Sequence, residues 1–208
     1  MTLDDLLRKK FLHALDATDV DPDAVTEELS AVIRCYTERH RYYHNLEHVK
    51  RLLALCDEME INDPEIMLAV FYHDTIYRPG DSKNEEESAA FARESLARLG
   101  VDPGRVEQVC GMILATADHP KPRDDLTTQF FLDLDMSILG AAGEEYQSYA
   151  EGVRKEHPLL PDFVFRKNRR KFLKKILAAK IIFCTDQFRE KYEVAARANI
   201  EWELGTLS

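Results

Sequence analysis

The chain has 208 residues, 45% of them hydrophobic and 32% charged, with 28 basic against 38 acidic side chains and a net charge of −10. Those proportions exclude a disordered chain, and the length suits one ordinary domain with a substantial core. The acidic balance argues against nonspecific binding to nucleic acid or an anionic membrane, although a local basic patch can still hold a small phosphate.

Nearly every segment repeats apolar residues at i, i+3, i+4 and i+7, and no alternating strand pattern stands out. Leu3, Leu6, Leu7, Phe11, Leu12 and Leu15 form a first amphipathic helix, and Asp21-Pro22 opens a second carrying Val25, Leu29, Val32, Ile33 and Tyr36. A third runs from about Asn45 to Met59. Asp63-Pro64 is an N-cap followed by proline at the first helical position, and it opens an almost wholly apolar helix from Ile66 to Tyr72. Asn84 and Glu87 have capping-box spacing, and Asp102-Pro103 opens the next helix, which His119-Pro120-Lys121-Pro122 breaks. Shorter helices follow over Phe130 to Leu139, stopped by Gly140, and around Tyr146 to Val153; Phe163 to Phe188 and Glu190 to Leu204 are helical as well. The expectation is an all-α fold, a single compact bundle-like domain over residues 1–208.

Cys35, Cys56, Cys110 and Cys184 lie far apart in apolar helix-like segments without C-x-x-C spacing, which reads as reduced core cysteine in a cytoplasmic protein. Met1 to Lys10 has no apolar signal core, and no stretch approaches the roughly 18 apolar residues of a membrane span. The run Arg166-Lys167, Arg169-Arg170-Lys171, Lys174-Lys175 is interleaved with Phe165, Phe172, Leu173 and Ile176 at helical spacing and reads as a solvated basic face.

The chemistry gathers at His73-Asp74. An imidazole and a carboxylate at the end of an apolar helix need polar partners, because burying them unpaired costs several kcal/mol. Other candidates are His44 and His48, His119, and the pair Asp133 and Asp135. Two imidazoles and two carboxylates brought together make a mixed nitrogen–oxygen site, suited to one divalent transition metal ion (Mn²⁺, Fe²⁺, Co²⁺, Ni²⁺ or Zn²⁺) and a poor match for Ca²⁺. His44-Asn45-Leu46-Glu47-His48 also matches the H-x-x-E-H pattern of inverzincin metalloproteases, in which Glu47 would activate water. That reading leaves His73, Asp74 and Asp135 without a task.

His48, His73-Asp74 and Asp135 in this order resemble the H…HD…D signature of the HD-domain superfamily of metal-dependent phosphohydrolases. The wider motifs are Arg41-Tyr42-Tyr43-His44-Asn45, Phe71-Tyr72-His73-Asp74 with Tyr77, Asn84-Glu85, Ala115-Thr116 with His119, Leu132-Asp133 through Gly140, and Ala196-Arg197 with Asn199-Ile200. They are similar to the branch described as predicted HD-superfamily phosphohydrolases. The resemblance implies an HD-like helical bundle and metal ligands at His48, His73, Asp74 and Asp135. Asp133 would then orient a ligand imidazole.

It further implies a hydrolase of phosphoric esters or anhydrides acting on a small phosphorylated molecule, with a nucleotide as the class analogy. Asp74 would take a proton from the attacking water, His44 and His119 would serve the leaving oxygen, and Arg41, Arg78 and Lys83 are candidate phosphate clamps. One ion is the expectation, with Mg²⁺ a candidate in a substrate complex and a second ion on His44, His119 and a bridging Asp74 as the alternative. No nucleic-acid polymer or membrane partner is expected, and the oligomeric state stays open. Alternatives that keep the fold are a di-iron oxygenase and a non-catalytic metal-binding regulatory module.

Overall fold

Three of the helices start by one device, an aspartate cap followed by proline. In the computed structural model, which describes residues 3–16, 20–118 and 122–207, Asp21 accepts from the Asp23 amide and Asp63 from that of Ile66. Asp102 likewise accepts from the amides of Gly104 and Arg105. Each carboxylate satisfies amides that the first turn leaves without a partner, while the proline occupies a position whose N–H would be idle anyway.

Every extended element among the described residues is helical, and no strand occurs among them. The sequence reading puts all the helices in one domain; by their contacts they divide into two units, Met1–Ala117 and Asp118–Ser208.

The first unit holds α1 (Leu3–Leu15), α2 (Pro22–Tyr36), α3 (Leu46–Glu58), α4 (Pro64–Tyr72), α5 (Asn84–Arg98) and α6 (Pro103–Ala115). Its centre is α4, in which every residue from Ile66 to Tyr72 is buried and which packs against α1, α3, α5 and α6. A helix apolar all round has no face to give to water, so the others must wrap it. Phe11 of α1 meets Phe71 edge to face, with ring centroids 5.1 Å apart. The helix ends at His73, the residue after the apolar run.

One capping expectation is corrected here. Helix α5 begins at Asn84 itself, with no side-chain cap. The Asn84 amide group instead accepts from Arg78 N at 2.9 Å and donates to Arg78 O at 2.9 Å, closing the 78–84 loop on itself. A side chain able to pair with both backbone groups of one residue gains more there than from a single helix amide.

The second unit holds α7 (Leu126–Met136), a 3-10 turn (Ser137–Gly140), α8 (Gly143–Lys155), α9 (Asp162–Leu177) and α10 (Asp186–Thr206). Asp125 caps α7, so that helix starts four residues before the expected Phe130. Gly140 sits against α10: a Cβ added there would lie 2.6 Å from Tyr192 Cβ and 2.7 Å from Tyr192 O. Asn199 Nδ2 donates to Leu139 O at 2.8 Å and Ala141 O at 2.9 Å, fastening the same turn to α10. Under α8, Arg169 is buried and doubly hydrogen-bonded to Glu203, at 2.8 and 3.0 Å, with Tyr146 and Tyr149 completing the network.

The helix expected from Phe163 to Phe188 is interrupted. Residues 178–185 are not helical, because their backbone groups are taken by side chains. Arg197 donates to Leu177 O, Ala179 O and Lys180 O, and Glu193 accepts from the amides of Ile182 and Phe183. Asp133 accepts from the amides of Cys184 and Thr185. Apolar spacing survives such a break; the hydrogen-bond partners decide it.

Candidate metal centre

His48 occupies the first turn of α3, which begins because Asn45 accepts from the Glu47 amide at 2.9 Å. His73 and Asp74 follow the last turn of α4. The two helices bring the two imidazoles to face one another, with 3.1 Å between His48 Nε2 and His73 Nε2. Asp74 Oδ2 lies 3.1 Å from the same His73 Nε2. Both histidines are buried, and Asp74 is partly open.

The tautomer of His73 follows from its other nitrogen. His73 Nδ1 is 3.0 Å from Val70 O, and a carbonyl can only accept, so Nδ1 carries the proton. In the neutral ring Nε2 then presents a lone pair, and it does so towards a carboxylate oxygen. Two lone pairs at that distance repel unless a positive charge is shared between them, either a proton or a metal ion. Imidazole held by an Nδ1–H···O=C bond is the usual arrangement of a metal-ligating histidine. The spacing agrees as well: donor atoms about 2.1 Å from one ion and roughly at right angles lie about 3 Å apart. His48, His73 and Asp74 together form a candidate three-donor metal group, with all donor atoms within 4.8 Å of one another. The residues present therefore fit a divalent ion with nitrogen and oxygen ligands.

His44 lies beside this group. Its ring stacks on Tyr77 with centroids 4.2 Å apart and stands 6.3 Å from the ring of His48. Asp135 lies on α7 of the second unit; the Tyr149 phenol is raised chiefly by burial, and the Asp135 charge adds a small push in the same direction. His119 falls outside the described residues.

Two of the expected phosphate clamps have other partners. Arg41 is wholly buried in its side chain: Nε donates to Glu38 Oε2 at 2.9 Å, Nη1 to His44 O at 3.1 Å and Asp74 O at 2.5 Å, and Nη2 to Thr75 O at 2.9 Å. Its guanidinium also lies over the rings of Tyr36 and Tyr77. Arg78 is paired with Glu87 at 2.8 Å and with Asp81 at 3.5 Å. Lys83 is exposed at the start of α5.

Asp133 is corrected too. Its carboxylate accepts from Gln129 Nε2, Cys184 N, Thr185 N and Thr185 Oγ1 at 2.7–3.1 Å, so it anchors the start of α10 instead of orienting an imidazole. Burial pushes its carboxyl above the ordinary value, against the pull of those donors.

Glu47, the base that the metalloprotease pattern requires, has a side chain 77% exposed and paired with Lys50 at 2.5 Å. It is not among the three clustered donors.

One residue escaped sequence reasoning altogether. The Asp74 amide donates to Tyr36 Oη at 3.1 Å, which makes Tyr36 part of the site's support. In the sequence Tyr36 belongs to the apolar stripe of α2, and its position there, 38 residues earlier, carries no signal of the contact. No helix among the described residues is long and apolar enough to cross a membrane. Comparison with family models, with curated proteins and with solved structures finds no match to this chain.

Proposed function

We propose that this chain is a metal-dependent hydrolase of phosphoric esters or anhydrides, acting on a small phosphorylated molecule, as its likeness to the HD-domain superfamily implies. The observation that supports the reading is the convergence of His48 Nε2, His73 Nε2 and Asp74 Oδ2, with the His73 proton held on Nδ1 by Val70 O. Those three side chains would hold the ion. The chemistry such an ion supplies when bound is activation of water near neutral pH and polarisation of a phosphoryl oxygen.

The chain's own groups carry the rest. Asp74 is the only carboxylate of the three donors and is the group placed to accept a proton from the attacking water. His44 is held by its stack on Tyr77 within one ring's reach of His48, and protonated it would donate to the leaving oxygen. The phosphorylated substrate follows from the family likeness and from the ion's affinity for phosphoryl oxygen, and a nucleotide is the first class to try.

The test is phosphate release by the purified chain from nucleoside mono-, di- and triphosphates, cyclic nucleotides and sugar phosphates, each with Mn²⁺, Co²⁺, Zn²⁺ or Mg²⁺. The proposal expects turnover that requires added ion and disappears in His73→Gln and Asp74→Asn while Glu47→Gln keeps it. No ion-dependent turnover on any substrate would contradict it. Peptide cleavage lost in Glu47→Gln would instead favour the protease pattern.

A further inference from the structure

We infer that Arg41 is the positioning residue of the metal centre: its guanidinium fixes the turn carrying Asp74 and the segment carrying His44 in one frame, together with Tyr36. The inference rests on the metal-site reading above and adds what holds that site in shape.

Leaving a helix, the backbone has carbonyls without intrahelical partners, and at His73-Asp74-Thr75 they must be satisfied inside the protein. Arg41 supplies donors to Asp74 O and Thr75 O from residues 33 and 34 positions away in sequence. Tyr36 Oη accepts the Asp74 N–H. Both backbone polar groups of Asp74 are therefore fixed, one by each side chain, and the carboxylate swings from a pinned base.

The same guanidinium donates to His44 O, so the segment entering α3 is fastened to the turn leaving α4. Rings of Tyr36 and Tyr77 lie on the guanidinium, at 5.3 and 5.5 Å, and Tyr77 is also the ring on which His44 stacks. Glu38 balances the buried charge at 2.9 Å. Arginine is required by this geometry. Its planar fork reaches three carbonyls and a carboxylate in fixed directions, whereas a lysine ammonium is one point with three donors. A divalent ion tolerates little displacement of its ligands, so a loosened Asp74 turn costs affinity even though residue 41 acts through other groups.

The experiment is calorimetric titration of Mn²⁺ into the metal-stripped full chain, with melting temperature and histidine ring NMR recorded on the same samples. Arg41→Lys is expected to bind at least tenfold more weakly than the parent chain. Tyr36→Phe, which loses one acceptor and keeps the ring, is expected to bind a few-fold more weakly. Arg105→Lys is the control, since Arg105 also braces backbone carbonyls, those of Ala14 and Leu15, but pairs with Glu65 in the first turn of α4, at the opposite end of that helix from His73. It should lower the melting temperature and leave affinity unchanged.

Arg41→Lys or Tyr36→Phe binding Mn²⁺ as the parent does would overturn the inference, as would Arg105→Lys weakening it equally. If Arg41→Lys does not fold, Tyr36→Phe decides alone. Failure of the parent chain to bind any ion would sink the metal-site reading instead. The positioning role would then be read from the ion-free spectra: Arg41→Lys should move both the His44 and His73 ring signals, and leaving either unmoved would refute it.

Discussion

Replacing Asp133 by alanine should destabilise the second unit, because it releases the backbone at residues 184 and 185 that this carboxylate holds. The carboxylate accepts the Cys184 amide at 3.1 Å, the Thr185 amide at 2.7 Å, the Thr185 hydroxyl at 2.7 Å and Gln129 at 3.1 Å. Hydroxyl and Gln129 can turn to other acceptors, but the two amides cannot, and each buried orphan costs about 1–3 kcal/mol. Against this, alanine removes a buried charge whose ionised form burial disfavours, as the raised Asp133 carboxyl indicates. The net loss is on the order of 3 kcal/mol. Asparagine keeps one carbonyl acceptor and also sheds the charge, so Asp133→Asn should cost about 1 kcal/mol.

The chain's single tryptophan is Trp202, on α10, so urea unfolding followed by its fluorescence reports on this unit directly. A cost below about 1 kcal/mol for Asp133→Ala, or an asparagine variant less stable than the alanine one, would refute the reasoning. The same variants should bind Mn²⁺ normally, because Asp133 holds backbone and not an imidazole.

Gly140→Ala should destabilise the second unit by about 2 kcal/mol, since the added methyl meets Tyr192 Cβ at 2.6 Å; a Trp202 melt within 0.5 kcal/mol of the parent (about the error of such fits) would argue against that packing. Asp125→Ala should cost about 1 kcal/mol at neutral pH through the lost cap of α7. The Thr128 hydroxyl, more than the burial that opposes it, holds the Asp125 carboxyl below its ordinary 3.8. The cap's gain is therefore fully present above that value and is lost as pH falls through the lower folded one, so parent and variant unfolding curves should converge in acid; a constant gap would contradict this. Burial pushes the Cys56 thiol up to about 12. Native protein at pH 8 should leave Cys56 unalkylated by iodoacetamide until it is denatured, and modification at the rate of a free thiol would refute that burial.

What the sequence made legible was local or periodic. The apolar run from Ile66 to Tyr72 announces a helix that others must surround, and α4 is that helix. Asp21-Pro22, Asp63-Pro64 and Asp102-Pro103 mark three helix starts because cap and proline are neighbours in the chain. Residue type and order single out His48, His73, Asp74 and Asp135, and of these the structure brings His48, His73 and Asp74 together in one donor group.

What stayed hidden depends on partners far apart in sequence. Asp133 is 52 residues from the Thr185 amide it holds, and Arg41 is 33 from the Asp74 carbonyl, so each passed for a functional charge when it is a brace. The break between α9 and α10 was invisible for the same reason. Apolar spacing runs across it, and only the distant Arg197, Glu193 and Asp133 dictate that the backbone leave the helix. Two resemblance motifs acquire plain structural causes: Gly140 allows α10 to approach, and Asn199 ties the same turn.

X-ray absorption at the cobalt edge of Co²⁺-loaded protein tests the metal centre most directly. A bound ion with two imidazoles among nitrogen and oxygen ligands at about 2.1 Å is predicted, falling to one imidazole in His73→Gln. An all-oxygen shell, or a spectrum that His73→Gln leaves unchanged, would contradict the account.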